Sequence, residues 1–300
     1  MKPIRSFLNY PGNKFRLLPQ LFPLFPHDNI STFIDLFCGS AVVSLNFPDC
    51  ETILANDIDT HLIQLLSRVS NQQYPEFKKH ILDIAEQYRL SNTDKYGYAY
   101  YQANSSEGLA NINRKAFNRM RSDYNSGDSS NDENLDLLYA LIVFGYNNQM
   151  RFNQHGVFNN PVGKRDFNIR MQAKLRDFIH ASQSRHIHFC NDDFSNIGFY
   201  GRNAFVYADP PYSLTTAVYN EATLWNENND QQLFEYLDDI DKLGGRFALS
   251  NVFTLKGRTN FSLIKWSSKY RTHHLNMSYS YSSYNTVRSG STDEVLITNY

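Results

Sequence analysis

The order of apolar runs along the chain predicts an α/β fold: a mostly parallel sheet begun at the N-terminus, broken off for a helical insert, then resumed. Three observations carry this expectation. Near the start, "FIDLFCGSAVVSLNF" (33–47) reads as a short apolar strand, a tight Gly/Ser turn and a helix-like run, and "TILANDID" (52–59) as a second strand ending in an acid. From His61 to about Arg185, segments such as "HLIQLLSRVSNQQYPEFKKHILDIAEQYRL" space their apolar residues by three and four, as helices do. Strand-like runs then return as "HIHFCNDDF", "AFVYADPPY", "RFALSNV" and "EVLITNY". Strands separated by helix-length connections pair in parallel. The expected division is one domain from residues 1–60 and 186–300, and a helical domain over 61–185 with a hairpin near 150–165. The polar stretch "NSGDSSNDEN" (125–134) reads as a solvated loop.

Bulk composition narrows the function classes. The chain has 300 residues, 22 Phe and 20 Tyr, and a formal net charge of -1, so a globally basic nucleic-acid binder is excluded and charge must be read locally. Three scattered cysteines (Cys38, Cys50, Cys190) form no CxxC pair, and the nine His show no HExxH. That usage fits a reducing cytoplasm, and no metal is expected. No window approaches the ~18 apolar residues of a membrane span, so a soluble cytoplasmic protein is expected.

The first chemical motif is the glycine turn. Strand–"FCGS"–helix, followed by a second strand ending in Asp57, is how a doubly wound fold holds an adenosine nucleoside, with the carboxylate on the ribose hydroxyls. The GxGxxG pattern that admits a pyrophosphate is absent, which points to a nucleoside without phosphates. Taken alone, the turn could equally be an ordinary βα connection. Upstream, "NYPGNKFRLLPQL" (9–21) makes a Pro-Gly turn and then starts a helix at Lys14. Facing the glycine loop, Tyr10 and Lys14 could hold the carboxylate of an amino-acid ligand.

"VYADPPYSL" (206–214) is the second. Methyl transfer to an aromatic amine is hard because the nitrogen lone pair is delocalised into the ring. Activation needs acceptors for both N–H protons, and the Asp209 carboxylate with the Pro210 carbonyl could supply them. Pro210 and Pro211 fix that geometry in advance. Tyr212 would stack on a base taken out of its duplex. A strand-end turn alone does not call for an acid and a phenol on either side of a diproline.

"YPGNK", "FIDLFCGS" and "DPPY", in this order, resemble the Dam-type α group of S-adenosylmethionine-dependent DNA adenine methyltransferases, and its T-even phage branch in particular. The likeness extends over nearly the whole chain, through "LANDI", "FGYNNQMRFN", "PVGKR", "LSNV", "IKWSSKY" and "STDEV". It implies a Rossmann-like methyltransferase sheet with one antiparallel strand, and S-adenosyl-L-methionine as cofactor. By position, Tyr10 and Lys14 would hold the methionyl end, Phe37 and Gly39 line the loop, Asp57 take the ribose, and Asp193 and Phe194 lie beside the adenine. Asp209 would serve cofactor and target amine together. Two departures stand out: the first motif lacks its usual Trp and double Gly, and the second Gly of the FxGxG loop is Ala41.

The insert supplies the expected DNA partner. Between Asn147 and Arg185 stand seven basic residues (151, 164, 165, 170, 174, 176, 185) against acids at 166 and 177 only. A second stretch, 111–125, has basic residues at 114, 115, 119 and 121, and a solvated helix face accounts for it. Alternating apolar positions flank His155-Gly156 in "MRFNQHGVFNNPVGKR" (150–165) and predict a β-hairpin, an element that fits the major groove. The resemblance implies that Arg151 reads guanine, and that Asn147, Gln149, Pro161, Lys164 and Arg165 touch bases and backbone. The combined expectation is adenine-N6 methylation of double-stranded DNA, with GATC as target, by a monomer or weak dimer. Cytosine-N4 methylation uses similar chemistry, glutamine methylation starts its motif with Asn, and a silent DNA-binding relative is a reading of another class. Asp rather than Asn at 209, with the basic hairpin, argues against glutamine methylation, and Asp209 and Tyr212 together argue against the silent relative.

Overall fold

The computed structural model describes residues 3–48, 50–103, 106–128, 130–199, 201–214, 225–276 and 292–300. In chain order the helices are α1 (Leu18–Leu21), α2 (Val42–Asn46), α3 (Thr60–Ser70), α4 (Tyr74–Tyr88), α5 (Thr93–Tyr100), α6 (Ala110–Ser126), α7 (Asp132–Phe144), α8 (Ile169–Ser184), α9 (Glu227–Lys242) and α10 (Phe261–Ser267). The strands are β1 (Thr32–Asp35), β2 (Thr52–Asn56), β3 (Ile187–Cys190), β4 (Ala204–Ala208), β5 (Arg246–Leu255), β6 (Arg258–Thr259), β7 (Arg271–Leu275) and β8 (Asp293–Thr298). They form two compact units. A helical unit comprises Met1–Asn13, Gly39–Asn46 and Asp59–Phe189, and a sheet unit comprises Lys14–Cys38, Phe47–Ile58 and Cys190–Tyr300.

In the sheet unit, the strand order is β2-β1-β4-β5-β8-β7, with β6 paired to the end of β5. Strands β2, β1, β4 and β5 are mutually parallel, and β8 runs antiparallel to both β5 and β7. The reason is visible in the side chains. Every residue of β4, Ala-Phe-Val-Tyr-Ala, is buried, as a central parallel strand covered on both faces requires. On one face, Leu233, Phe234, Leu237 and Ile240 of α9 pack on Val206, Phe247, Leu249, Val295 and Ile297. Full burial of each such side chain contributes about 1.5–3 kcal/mol. Four phenylalanines form a ring cluster: Phe33 and Phe47 are 3.8 Å apart and parallel, with Phe25 and Phe205 against them. Helix α9 starts on a reciprocal capping box between Asn226 and Asn229.

In the helical unit, α7 is apolar nearly all round and, apart from the half-buried Leu137, buried from Asn134 to Phe144, with α3, α4 and α6 packed about it. The one carboxylate in that run, Asp136, is 1% exposed. It is held by two bonds from Arg68, at 3.0 and 2.8 Å, and by His80 Nε2 at 3.0 Å. A buried charge persists only when satisfied in this way.

Two sequence expectations need correction here. The loop expected over 125–134 is shorter, because α6 runs to Ser126 and α7 starts at Asp132. Its polar residues serve as helix signals: the Asn131 side chain accepts from Glu133 N at 2.8 Å, and Asp132 and Glu133 sit at the positive end of the helix. The hairpin near 150–165 is closed by two isolated antiparallel bridges, Phe152 with Phe158 and Gly145 with Val162, rather than by continuous strands. Pro161 has no N–H to offer a ladder. Amide side chains take over: Asn160 Nδ2 donates to the Tyr146 and Gln149 carbonyls, and Asn125 of α6 pairs with both backbone groups of Phe158.

Candidate active site

The C-terminal ends of parallel strands are where open α/β sheets bind ligands. In the sheet unit those ends carry Phe37 after β1, Asp57 after β2 and Asp209 after β4. Asn56, 1% exposed at the end of β2, ties the loop after β1 to the loop that follows β3. Its Nδ2 donates to the carbonyls of Leu36 and Asp192, and its Oδ1 accepts from Asp192 N, all at 3.1 Å. The Asp57 backbone is pinned on both sides, its N–H donating to the Cys190 carbonyl and its carbonyl accepting from Asn191 Nδ2. Asp193 caps the following turn through Ser195 N and Oγ, and Phe194 sits in the core against Phe37, with centroids 5.4 Å apart. Trp225, 5.5 Å from Phe37, completes the aromatic group.

Beyond β4, Pro210 is buried and Pro211 exposed. The Asp209 side chain is 17% exposed and its Oδ1 lies 2.8 Å from Lys14 Nζ. Lys14, 6% exposed, also donates to the Tyr212 hydroxyl at 2.8 Å and lies 3.5 Å from Glu294 Oε1. The Tyr212 hydroxyl in turn has Asp209 Oδ1 at 3.4 Å and Glu294 Oε1 at 3.3 Å. Burial works against the Lys14 charge, but Asp209, then Tyr207 and Glu294, outweigh it and raise the lysine pKa. Burial raises both carboxyls above their usual range, with Lys14 opposing the shift in each. Lys14, expected at the methionyl end of a cofactor, thus acts from within a carboxylate cluster. Behind it, the fully buried Tyr207 hydroxyl is bonded to Ser250 Oγ at 2.8 Å.

The glycine loop belongs to the helical unit. Gly39 has φ +49°, and a Cβ there would stand 3.0 Å from Tyr10 Cε1, so the Tyr10 ring lies on a face that any side chain would fill. The next hydroxyl, Ser40 Oγ, is buried without a hydrogen-bond partner. Ala41, at the place of the Gly in the resemblance, keeps the left-handed backbone with φ 58°.

Also in the helical unit, Arg151 is exposed and spans the hairpin, with Nε on Asn159 Oδ1 and Nη2 on the Asn159 carbonyl, both at 2.8 Å. The hairpin root is aromatic: Phe152 stacks on His61 at 4.1 Å and meets Phe158 edge-on. Asn147 has φ 54°, and its carbonyl accepts from Asn9 Nδ2 at 2.7 Å. Pro161, Lys164 and Arg165 are exposed. Of the two acids counted in this stretch, Asp166 is turned inward onto Ser91 and Thr93, and Asp177 is paired with Arg176. The exposed surface is therefore more basic than the sequence count. Lys174 has its pKa lowered by burial and by Arg5 and Arg165 nearby.

Sequence reasoning missed four contributors. Glu294 had a signal, an acid inside the apolar run "EVLITNY". Asn56, Asn160 and Arg5 had none: an amide that ties loops together looks like any polar residue until the loops meet, and Arg5 acts on Lys174 across a long stretch of sequence.

Comparison with known proteins agrees with this geometry. Residues 10–286 match the family model of D12 class N6 adenine-specific DNA methyltransferases. Among curated relatives, the Type II methyltransferase M.FokI of Planomicrobium okeanokoites is 38% identical over 99% of this chain and 43% of its own length. The modification methylase StsI of Streptococcus sanguinis is 35% identical over 100% of this chain and 43% of its own. The DNA adenine methylase of Haemophilus influenzae is 28% identical over 70% of this chain and 64% of its own. The chain spans less than half the length of the first two relatives. With a match that runs from Tyr10 past the DPPY motif, this chain belongs to the D12 class of N6 adenine-specific DNA methyltransferases.

Proposed function

We propose that this protein transfers a methyl group from S-adenosyl-L-methionine to the N6 amine of an adenine in double-stranded DNA. The observation that carries this reading is Asp209, fixed at the end of a central parallel strand with both of its contacts, to Lys14 and Tyr212, on Oδ1. Its second oxygen, Oδ2, is the acceptor for one N–H of the amine, and the Pro210 carbonyl is the acceptor for the other. The rigid diproline and the immobilised carboxylate need no reorganisation as charge develops on the nitrogen.

The residues present fit the cofactor. Gly39, bare of a side chain, lets the Tyr10 ring close onto the glycine loop, and the orphaned Ser40 hydroxyl suits a polar group there. In the sheet unit, Asp57 takes the ribose hydroxyls, and Phe37, Asp193 and Phe194 take the adenine. When bound, the cofactor supplies a methyl group on a positively charged sulfur, so no Lewis acid is needed. Asp209 receives the hydrogen bond of the amine, and the proton that the nitrogen loses on gaining the methyl group passes to the Asp209 carboxylate and on to solvent. The base must leave its stack to reach this site, and Tyr212 provides the aromatic wall for it.

Residues 61–185 form the target-recognition part. Asn159 holds one edge of the Arg151 guanidinium and leaves the Nη1 edge for a bidentate contact to a guanine, while Lys164 and Arg165 meet phosphates. Asn147, Gln149 and Pro161 line the same hairpin. GATC is the target we expect, from the Dam-like hairpin sequence.

The test is incubation with methyl-labelled S-adenosyl-L-methionine and unmethylated DNA, followed by digestion to nucleosides. N6-methyldeoxyadenosine is expected. Label in N4-methyldeoxycytidine, or no label in DNA, contradicts the proposal.

A further inference from the structure

Glu294 has no task in the reaction proposed above. It sits on β8, between Val252 of β5 and Leu275 of β7, and is 2% exposed. Its Oε1 makes two contacts at the outer edge of hydrogen-bond range, 3.5 Å to Lys14 Nζ and 3.3 Å to the Tyr212 hydroxyl. Its Oε2 is buried and has no hydrogen-bond partner. A half-satisfied carboxylate inside a sheet is a poor stabilising device, since apolar residues of similar volume do at least as well there. Its value therefore lies in the two groups it touches.

Those two groups are shared. The Tyr212 hydroxyl carries one proton and has two carboxylate acceptors at nearly equal distance, 3.4 Å on Asp209 and 3.3 Å on Glu294. Lys14 is one ammonium between two carboxylates, closer to Asp209 by the difference between 2.8 and 3.5 Å. We propose that Glu294 is a positioning residue for methyl transfer: it competes with Asp209 for Lys14 and the Tyr212 hydroxyl, and so sets how much of their neutralising power reaches the carboxylate that meets the amine. This rests on the function proposed above.

The consequence has a definite sign. Without the Glu294 charge, Lys14 and Tyr212 are left to Asp209, which becomes a weaker acceptor and holds a proton less readily. Among the described residues, the groups facing Glu294 are Lys14, Asp209 and Tyr212; its partners on β5 and β7 are apolar, the Tyr207 hydroxyl is on Ser250, and neighbouring Asp293 is paired with His274 at 2.7 Å. In Glu294→Gln the shape and one acceptor are kept. The variant should lose about 10–100-fold in kcat, with KM for DNA and cofactor little changed, the scale of a misplaced reacting group. Its acid limb of kcat should move to lower pH.

The deciding measurement is a 13C carboxyl titration of wild type and Glu294→Gln, with the Asp209 resonance assigned through Asp209→Asn and folding checked by thermal unfolding. Asp209 should titrate at lower pH in Glu294→Gln. An unchanged Asp209 titration in a folded Glu294→Gln protein overturns the inference, whatever the activity. Absence of DNA methylation by wild type refutes the proposed reaction instead, and the titration still decides whether Glu294 and Asp209 compete.

Discussion

Asp209 and Arg151 are both charged side chains held across a turn, in contrasting surroundings. Asp209 is almost buried, its partner Lys14 is a buried charge, and Lys14 is shared with a second buried carboxylate, Glu294. Arg151 is exposed, and its partner is the side chain and carbonyl of an uncharged Asn159. At low dielectric, a fixed charge acts strongly at short range and costs no reorganisation, which suits a chemical step. On a wet surface, a charge held by an amide keeps its remaining donors free to exchange water for a nucleic acid. In the proposed function, charge is concentrated where bonds change, and amides give shape where sequence is read.

Breaking the buried side should have the largest effect. Asp209→Ala removes the acceptor and should lower methyl transfer by at least about 10²–10³-fold, measured as labelled methyl in DNA under single-turnover conditions. A milder change tests its electrostatics. Because burial raises the Asp209 pKa, with Lys14 opposing, the folded state binds that proton more tightly than the unfolded chain does. The stability contributed by that proton is complete below the unfolded pKa and is lost as pH rises through the folded one. Asp209→Asn should therefore be more stable than wild type at pH 8, and the gap should close on acidification, as read by urea unfolding at each pH. A gap that widens toward acid would show that Lys14 more than offsets burial.

The amide side should break differently. Asn160 is 1% exposed, and its loss takes the side-chain donor from the Gln149 carbonyl and leaves the Tyr146 carbonyl with the Gln149 N–H at 3.3 Å. Asn160→Ala should cost about 1–3 kcal/mol of stability, with faster hydrogen exchange around 145–162. The sheet unit should keep its protection. The smallest change concerns the glycine loop: Ala41→Gly relieves a left-handed backbone at φ 58°. The strain relieved is about 1–2 kcal/mol, offset by about 0.5–1 kcal/mol of added chain entropy. The net rise in thermal stability should be small, and a loss would mean that the buried Ala41 methyl contributes more by packing than its backbone costs.

The same contrast explains what could be read in advance. The strands, the glycine turn and Asp209-Pro-Pro-Tyr212 are local patterns, visible because a parallel sheet demands continuous apolar runs and stops them at functional residues. Glu294 lies 82 residues from Tyr212, and only the antiparallel insertion of β8 beside β5 brings the two together. The hairpin was legible as an alternation of apolar residues, yet its ladder was not, because Asn125 and Asn160 replace backbone partners from outside it. Likewise, the basic count of the insert understated the surface, since the inward turn of Asp166 depends on Ser91 and Thr93.

The division between chemistry and reading is tested most directly by methylation of GATC and its single-base variants, with wild type, Arg151→Ala and Lys164→Ala, across a salt series. Arg151→Ala should lose about 1–3 kcal/mol on the cognate site and little on sites altered at the base pair it reads, so that discrimination collapses there. Lys164→Ala should weaken all sequences alike and reduce the salt slope by about one. An Arg151→Ala enzyme that loses activity equally on every substrate, with a reduced salt slope, would make Arg151 a phosphate contact and contradict the assignment of the hairpin as the base reader.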